Sequence, residues 1–176
     1  PHAWQSLVHA QRYVENIRAA LVAAAPAHAG AIDARAAAYR QRLAALDNSA
    51  RTAFAAIPPE QRRVVSTHDA FGYLGEAYGI TFISPRSWNT DSEASAAGVA
   101  AVIRQVRQHQ ARALFVENIT DRRSIERIAQ ETGAQVGGTL YSDALSAPGA
   151  GADTYLRLYE HNVKVIAGAL QAAATR

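Results

Sequence analysis

The chain has 176 residues, 49% of them hydrophobic, and a formal net charge of +3, which is enough for one ordinary domain with a buried core. It contains no cysteine, which excludes disulfides, thiolate metal sites and cysteine nucleophiles, so any metal must be held by nitrogen and oxygen. The positive charge is almost all arginine, with Lys164 the only lysine; Arg12, Arg35, Arg51, Arg104 and Arg123 are spread along helical segments instead of clustered with aromatics, so solvated helix faces are expected and a nucleic-acid partner is not.

The sequence has no methionine and begins Pro1-His2-Ala3-Trp4, so it is expected to be part of a longer chain; no signal peptide or transmembrane run is visible in it. From Ser6 to about Ala25, Leu7, Ile17, Leu21 and Val22 form a helical stripe that ends near Pro26. A second Ala-rich stretch, from about His28 to Ile57, places Ile32, Tyr39, Leu43, Leu46 and Phe54 at helical spacings and stops at Pro58-Pro59. At about 30 residues and roughly 1.5 Å of rise each, it is long enough to cross a domain and to serve as a spine between two lobes.

From Arg63 the pattern changes to short strands alternating with helices. Strands are expected at Arg63 to Ser66, Ile80 to Ile83, Ala113 to Val116 and Gln135 to Thr139. Helices are expected at Ala70 to Tyr78, closed by Gly79, at Ser92 to Gln108, at Asp121 to Thr132, ending at Gly133, and at roughly Asp153 to Ala173, after a loop with Pro148, Gly149 and Gly151. This order predicts an α/β fold in three layers, a parallel sheet of about four strands flanked by helices and preceded by long linking helices. The predicted division is a helical segment over 1–60 and an α/β lobe over 61–176.

Three groups able to hold a metal follow apolar runs: His68, Glu117 and Asp143. Each is expected where a parallel strand ends, and in open α/β sheets ligands bind in the crevice outside the carboxyl ends of the strands. His2, at the start of the chain, is a fourth candidate standing on a free end. Read alone, Asp143 fits a helix cap or turn residue as well as a ligand, and His68 fits a cap equally. His9, His28, His109 and His161 fit helix surfaces or helix packing, with a structural hydrogen bond expected for His161-Asn162. For Trp4 and Trp88 aromatic packing is the default, and Arg86 fits the surface or the cleft.

The motifs carry a family resemblance. Pro1-His2-Ala3-Trp4, Ser66-Thr67-His68-Asp69-Ala70-Phe71-Gly72-Tyr73, Tyr78-Gly79-Ile80, Leu114-Phe115-Val116-Glu117, Leu140-Tyr141-Ser142-Asp143-Ala144-Leu145-Ser146, Thr154-Tyr155-Leu156 and His161-Asn162-Val163 occur in the order found in zinc- or manganese-binding solute-binding proteins. These are the extracytoplasmic receptors of metal ABC importers, and the chain resembles their carboxy-terminal part. The resemblance implies two lobes linked by a rigid helix, with the amino-terminal lobe outside these 176 residues, and one metal held in the cleft. Typical members use a histidine of the first lobe, a histidine in an Asp-Pro-His motif, a histidine or glutamate after the first strand of the second lobe, and an aspartate in a Tyr-Ser-Asp-type motif. Matched motif by motif, the last three fall on His2, His68 and Asp143. Glu117 has no ligand role in the resemblance and is expected to orient a histidine or to make a structural hydrogen bond. The Glu-Pro-Ser-Ala common in relatives reads Glu93-Ala94-Ser95-Ala96 here, a change at a helix start that should not touch the metal.

Imidazole and carboxylate in a tetrahedral shell suit zinc, and a histidine at position 68, where manganese-preferring relatives tend to use glutamate, moves the expectation further toward zinc, with manganese or iron as alternatives. The implied function is capture of a divalent ion outside the cytoplasm, in the periplasm or at the membrane surface, and its delivery to a membrane permease, with no catalysis. Two other classes stay open. Two histidines and a carboxylate also occur in non-haem iron oxygenases and hydrolytic zinc enzymes, although no nucleophile or second acid accompanies them here. A metal-independent adhesion or interaction domain is the other.

Overall fold

The computed structural model describes residues 1–66, 69–84, 96–118 and 122–174. Helices α1 (Leu7–Ala24) and α2 (Ala29–Ala55) form an antiparallel hairpin. The serine before the first stripe starts it: Ser6 Oγ accepts from the His9 amide at 3.4 Å. The 27 residues of α2 span about 40 Å at roughly 1.5 Å per residue. Its apolar positions Leu43, Ala50 and Phe54 are fully buried, whereas most of its amino-terminal half is exposed.

The remainder alternates as the sequence predicts: β1 (Arg63–Val65), α3 (Gly72–Tyr78), β2 (Thr81–Ile83), α4 (Ala96–His109), β3 (Ala113–Glu117), α5 (Arg122–Thr132), β4 (Gln135–Leu140) and α6 (Tyr155–Ala174). Boundaries differ from expectation by a residue or two because capping, which periodicity does not register, decides the ends. Gly79, at φ 67°, closes α3 with its amide on the Gly75 carbonyl, the left-handed cap that glycine adopts without strain. Helix α6 begins at Tyr155, not Asp153, because the Thr154 hydroxyl accepts from the Arg157 amide at 3.3 Å, which makes Thr154 the cap. The expected residues Ser92–Ser95 of α4 and Asp121 of α5 lie outside the described residues.

The four strands form one parallel sheet in the order β2-β1-β3-β4. Side chains alternate across it. Val64, Ala113 and Phe115 join the core under α1, α2, α3 and α6, while Val65, Leu114 and Val116 join the core under α4 and α5. The expected three layers are present. Because β1 continues to β2 on one side and the chain then returns to β3 on the other, the direction of winding reverses between β1 and β3. In open α/β sheets such a reversal marks the place, beyond the carboxyl ends of the strands, where ligands bind.

The pairing of β4 with β3 carries a bulge. Leu114 pairs with Val136, but Phe115 pairs with Gly138, leaving Gly137 as the extra residue. A Cβ at Gly137 would lie 2.5 Å from the Phe115 ring and 2.7 Å from Ala169 Cβ, and Gly138 sits at φ 139°, so both positions require glycine. After the bulge Glu117 pairs with Leu140. No described helix is long and apolar enough to cross a membrane.

Candidate metal centre

Two of the predicted donors meet, although 141 positions of sequence separate them. His2 Nε2 lies 3.4 Å from Asp143 Oδ1, with 18% and 33% of the respective side chains exposed, so the pair is sheltered yet open to an entering ion. Asp143 sits in a bend three residues beyond β4 and not at the start of α6, which rules out the helix-cap reading. His2 adopts a left-handed conformation, φ 64° and ψ 25°, which is uncommon for a side-chain-bearing residue. Its carbonyl accepts from the Gln5 amide at 2.9 Å, closing the short 3-10 turn Ala3–Gln5. Its ring meets Trp4 edge-on at 5.3 Å. No local sequence pattern signals that the turn carrying His2 is ordered.

Side chains of the turn and of α6 hold it. Trp4 Nε1 and Gln5 Nε2 both donate to the Ser142 carbonyl, at 3.0 and 3.1 Å, tying the His2 turn to the residue before Asp143. Tyr155 of α6 donates to the Trp4 carbonyl, and Tyr159 donates to the Gln5 carbonyl at 3.0 Å. On the other segment, Asn162 binds both backbone groups of Tyr141: Nδ2 donates to its carbonyl at 2.7 Å and Oδ1 accepts from its amide at 2.9 Å. Asn162 is fully buried, so satisfying both of its polar ends inside the protein is a condition of its being there. His161 Nε2 lies 2.9 Å from the Thr139 carbonyl, the structural hydrogen bond expected of that helix.

A buried polar chain continues inward. The Tyr159 hydroxyl lies 3.4 Å from that of Tyr78, which donates to Asp47 of α2 at 2.8 Å; Arg51 holds the other Asp47 oxygen at 2.9 Å. Burial raises the Tyr78, Tyr155 and Tyr159 phenols well above the ordinary tyrosine range, so all three are neutral donors at physiological pH. The sequence motifs contain Tyr155 without assigning it a role and Asn162 with an expected structural hydrogen bond, which its contacts with Tyr141 supply; they do not mark Gln5, Tyr78 and Tyr159 as polar partners. The available signal was the 155, 159, 162 spacing, which puts three side chains on one helix face.

Glu117, the last residue of β3, is buried. Alternation places it on the face that carries Ala113 and Phe115, the side on which the His2 turn packs. His68, Arg86 and Trp88 lie outside the described residues, as do Glu93, Ala94 and Ser95. Among the described residues no three histidine, aspartate or glutamate side chains converge on one point; His2 and Asp143 are the pair brought together. His9, His28 and His109 are exposed on helices or helix ends, and His9 packs edge-on against Tyr73 at 5.1 Å. A cleft of about 470 Å³ has His2, Asp69, Tyr73 and Glu76 among its walls, so it borders the His2 side of the pair. Beside the pair, Gln5 Oε1 and Ser142 Oγ are buried without a hydrogen-bond partner among the described residues, two polar atoms that a bridging water can satisfy.

The spacing has a chemical meaning. Two donors each about 2.1 Å from a tetrahedral ion lie roughly 3.4 Å apart. That is the His2–Asp143 separation.

Comparison with known proteins shows the family. Residues 1–169 match the family described as zinc-uptake complex component A, periplasmic. The iron-binding protein YfeA of Yersinia pestis is 37% identical over 95% of this chain and 54% of its own. The manganese-binding lipoprotein MntA of Bacillus subtilis is 34% identical over 97% of this chain and 58% of its own. Among solved structures, the periplasmic zinc-binding protein TroA from Treponema pallidum is similar at a TM-score of 0.88 and 30% identity, over 97% of this chain and 63% of that one. A manganese-bound periplasmic metal-binding protein from Candidatus Liberibacter asiaticus is similar at a TM-score of 0.87 and 33% identity, with the same coverage. The chain thus spans a little over half the length of the relatives it matches.

Proposed function

The chain belongs to the zinc-uptake complex component A family of periplasmic proteins, and from that membership we propose that it is the ion-holding lobe of an extracytoplasmic metal receptor. It catalyses nothing; it captures one divalent transition ion and presents it to a membrane permease. His2 and His68 give imidazole nitrogen, Asp143 gives carboxylate oxygen, and a histidine of a first lobe completes the shell. Residues 1–60 include the helix that links the lobes, and residues 61–176 form the lobe that holds the ion.

The observation that carries this reading is the His2–Asp143 pair, 3.4 Å apart beyond the carboxyl ends of the strands, at the separation two donors of one tetrahedral ion require. Glu117, buried at the end of β3, orients a histidine from behind the site. Zinc is the ion we assign, because it accepts nitrogen and oxygen donors in four-coordinate shells. Relatives named for manganese and iron make those ions the second reading, and affinity order alone does not separate them.

Titration calorimetry of the chain with zinc, manganese and ferrous iron tests the assignment. His2→Ala, His68→Ala and Asp143→Ala should each weaken zinc binding by more than the roughly 10–100-fold that loss of an outer hydrogen bond costs, while His109→Ala, on an exposed helix end, leaves it unchanged. Equal effects at all four positions would overturn the ligand assignment. Tighter binding of manganese than zinc would replace the metal and keep the site.

A further inference from the structure

Tyr155, Tyr159 and Asn162 stand at i, i+4 and i+7 on α6, one face of one helix. Each grips backbone next to a proposed donor instead of the donor itself. Tyr155 and Tyr159 take the carbonyls of Trp4 and Gln5, and Asn162 takes the amide and carbonyl of Tyr141. The two segments so held are joined to each other at the Ser142 carbonyl, the Trp4 contact alone spanning 138 residues of sequence.

We propose that this face of α6 sets the distance between His2 and Asp143, making Tyr155, Tyr159 and Asn162 positioning residues for the ion; the proposal rests on the ion-binding reading above. The physical reason is tolerance. Ligand distances are good to about 0.2 Å in a working site, and a loosely held segment carrying His2 would have to be ordered by the ion, at a cost in backbone entropy that opposes binding. A helix that fixes both segments by their main chain removes that cost before the ion arrives.

The experiment uses Tyr155→Phe, Tyr159→Phe, Asn162→Ala and a control, Tyr78→Phe. The control removes a buried phenol from the same cluster, the donor to Asp47, but among the described residues that phenol makes no hydrogen bond to residues 2–5 or 141–143. The first measurement, on the metal-free chain, is hydrogen exchange of the Trp4 indole N–H, whose bond to the Ser142 carbonyl reports docking. Exchange should speed by about tenfold in the Tyr155 and Tyr159 variants and stay unchanged in the control. The second is zinc affinity by chelator competition, which should fall by about tenfold in those two variants but not in the control.

If Asn162→Ala fails to fold, the two phenylalanine variants decide the matter, since each keeps its ring. Unchanged exchange and affinity in both would overturn the proposal. So would losses in all variants that simply follow the thermal midpoint, Tyr78→Phe included. A full-length protein, with both lobes present, that takes up no zinc would overturn the ion-binding reading, and the role in setting ion geometry with it; indole exchange, measured without metal, would still show whether α6 holds the two segments, so the two failures are told apart.

Discussion

Gly137→Ala puts the bulge in β4 to a quantitative test. The new Cβ would lie 2.5 Å from Phe115 Cε1, 2.9 Å from Phe115 Cζ and 2.7 Å from Ala169 Cβ, about 1 Å inside ordinary carbon contact. Phe115 is fully buried, and Ala169 belongs to α6, so relief requires β4 to separate from α6 or the ring to leave its rotamer. Overpacking of this size costs about 1–3 kcal/mol, offset by roughly 0.4–1 kcal/mol from the lower unfolded-state entropy of alanine, which leaves a net loss of about 1–2 kcal/mol. For a chain of this length that is a fall in thermal midpoint of roughly 2–8 °C. Urea and thermal unfolding should show it with an unchanged denaturant slope. Phe115→Leu, which shortens the clashing ring, should make the glycine substitution less costly in the double variant than in the single. Because β4 leads directly to Asp143, the single variant should also bind zinc more weakly. A midpoint within a degree of the parent, or no relief in the Phe115→Leu background, would refute the argument.

Three further outcomes follow from the same physics. Zinc binding should fade as pH falls through the range where free imidazole titrates, about 6.5, because a proton and the ion compete for one nitrogen; calorimetry between pH 5.5 and 8 that shows no change would count against histidine ligation. The Asp153 carboxyl is held below its usual range first by the Gly149 amide at 2.8 Å and then by Arg157. A depressed folded pKa stabilises the native state above the ordinary carboxylate range and loses that contribution as pH falls through the depressed value. Asp153→Asn should therefore lower the thermal midpoint at pH 7 and cease to matter in strong acid. For Tyr78, Tyr155 and Tyr159, burial raises the phenol, so their contribution is complete below about pH 10 and is lost as pH rises beyond it. In an alkaline absorbance titration these three phenols should ionise late, together with unfolding.

The sequence by itself determined the architecture, because each element announces itself locally. Leu7 to Val22 and Ile32 to Phe54 repeat with the helix period; Val64-Val65 and Leu114-Phe115-Val116 are short β-branched and aromatic runs; Gly79 and Gly133 stop helices where left-handed backbone is needed. Strict alternation of such elements leaves little choice but a parallel sheet. It also placed Glu117 and Asp143 at strand ends, since a donor after an apolar run is a local pattern. What only the tertiary structure decided is the meeting of His2 with Asp143. That contact joins residues 141 positions apart, and the groups that make it possible are a carbonyl at Ser142, phenols at Tyr155 and Tyr159, and an amide at Asn162. The backbone partners are common to every residue type and leave no mark in the letters of the sequence. The bulge at Gly137 is equally silent, because the reason for that glycine is a ring 22 positions earlier and a helix about thirty positions later, brought against it only once the sheet and α6 have packed.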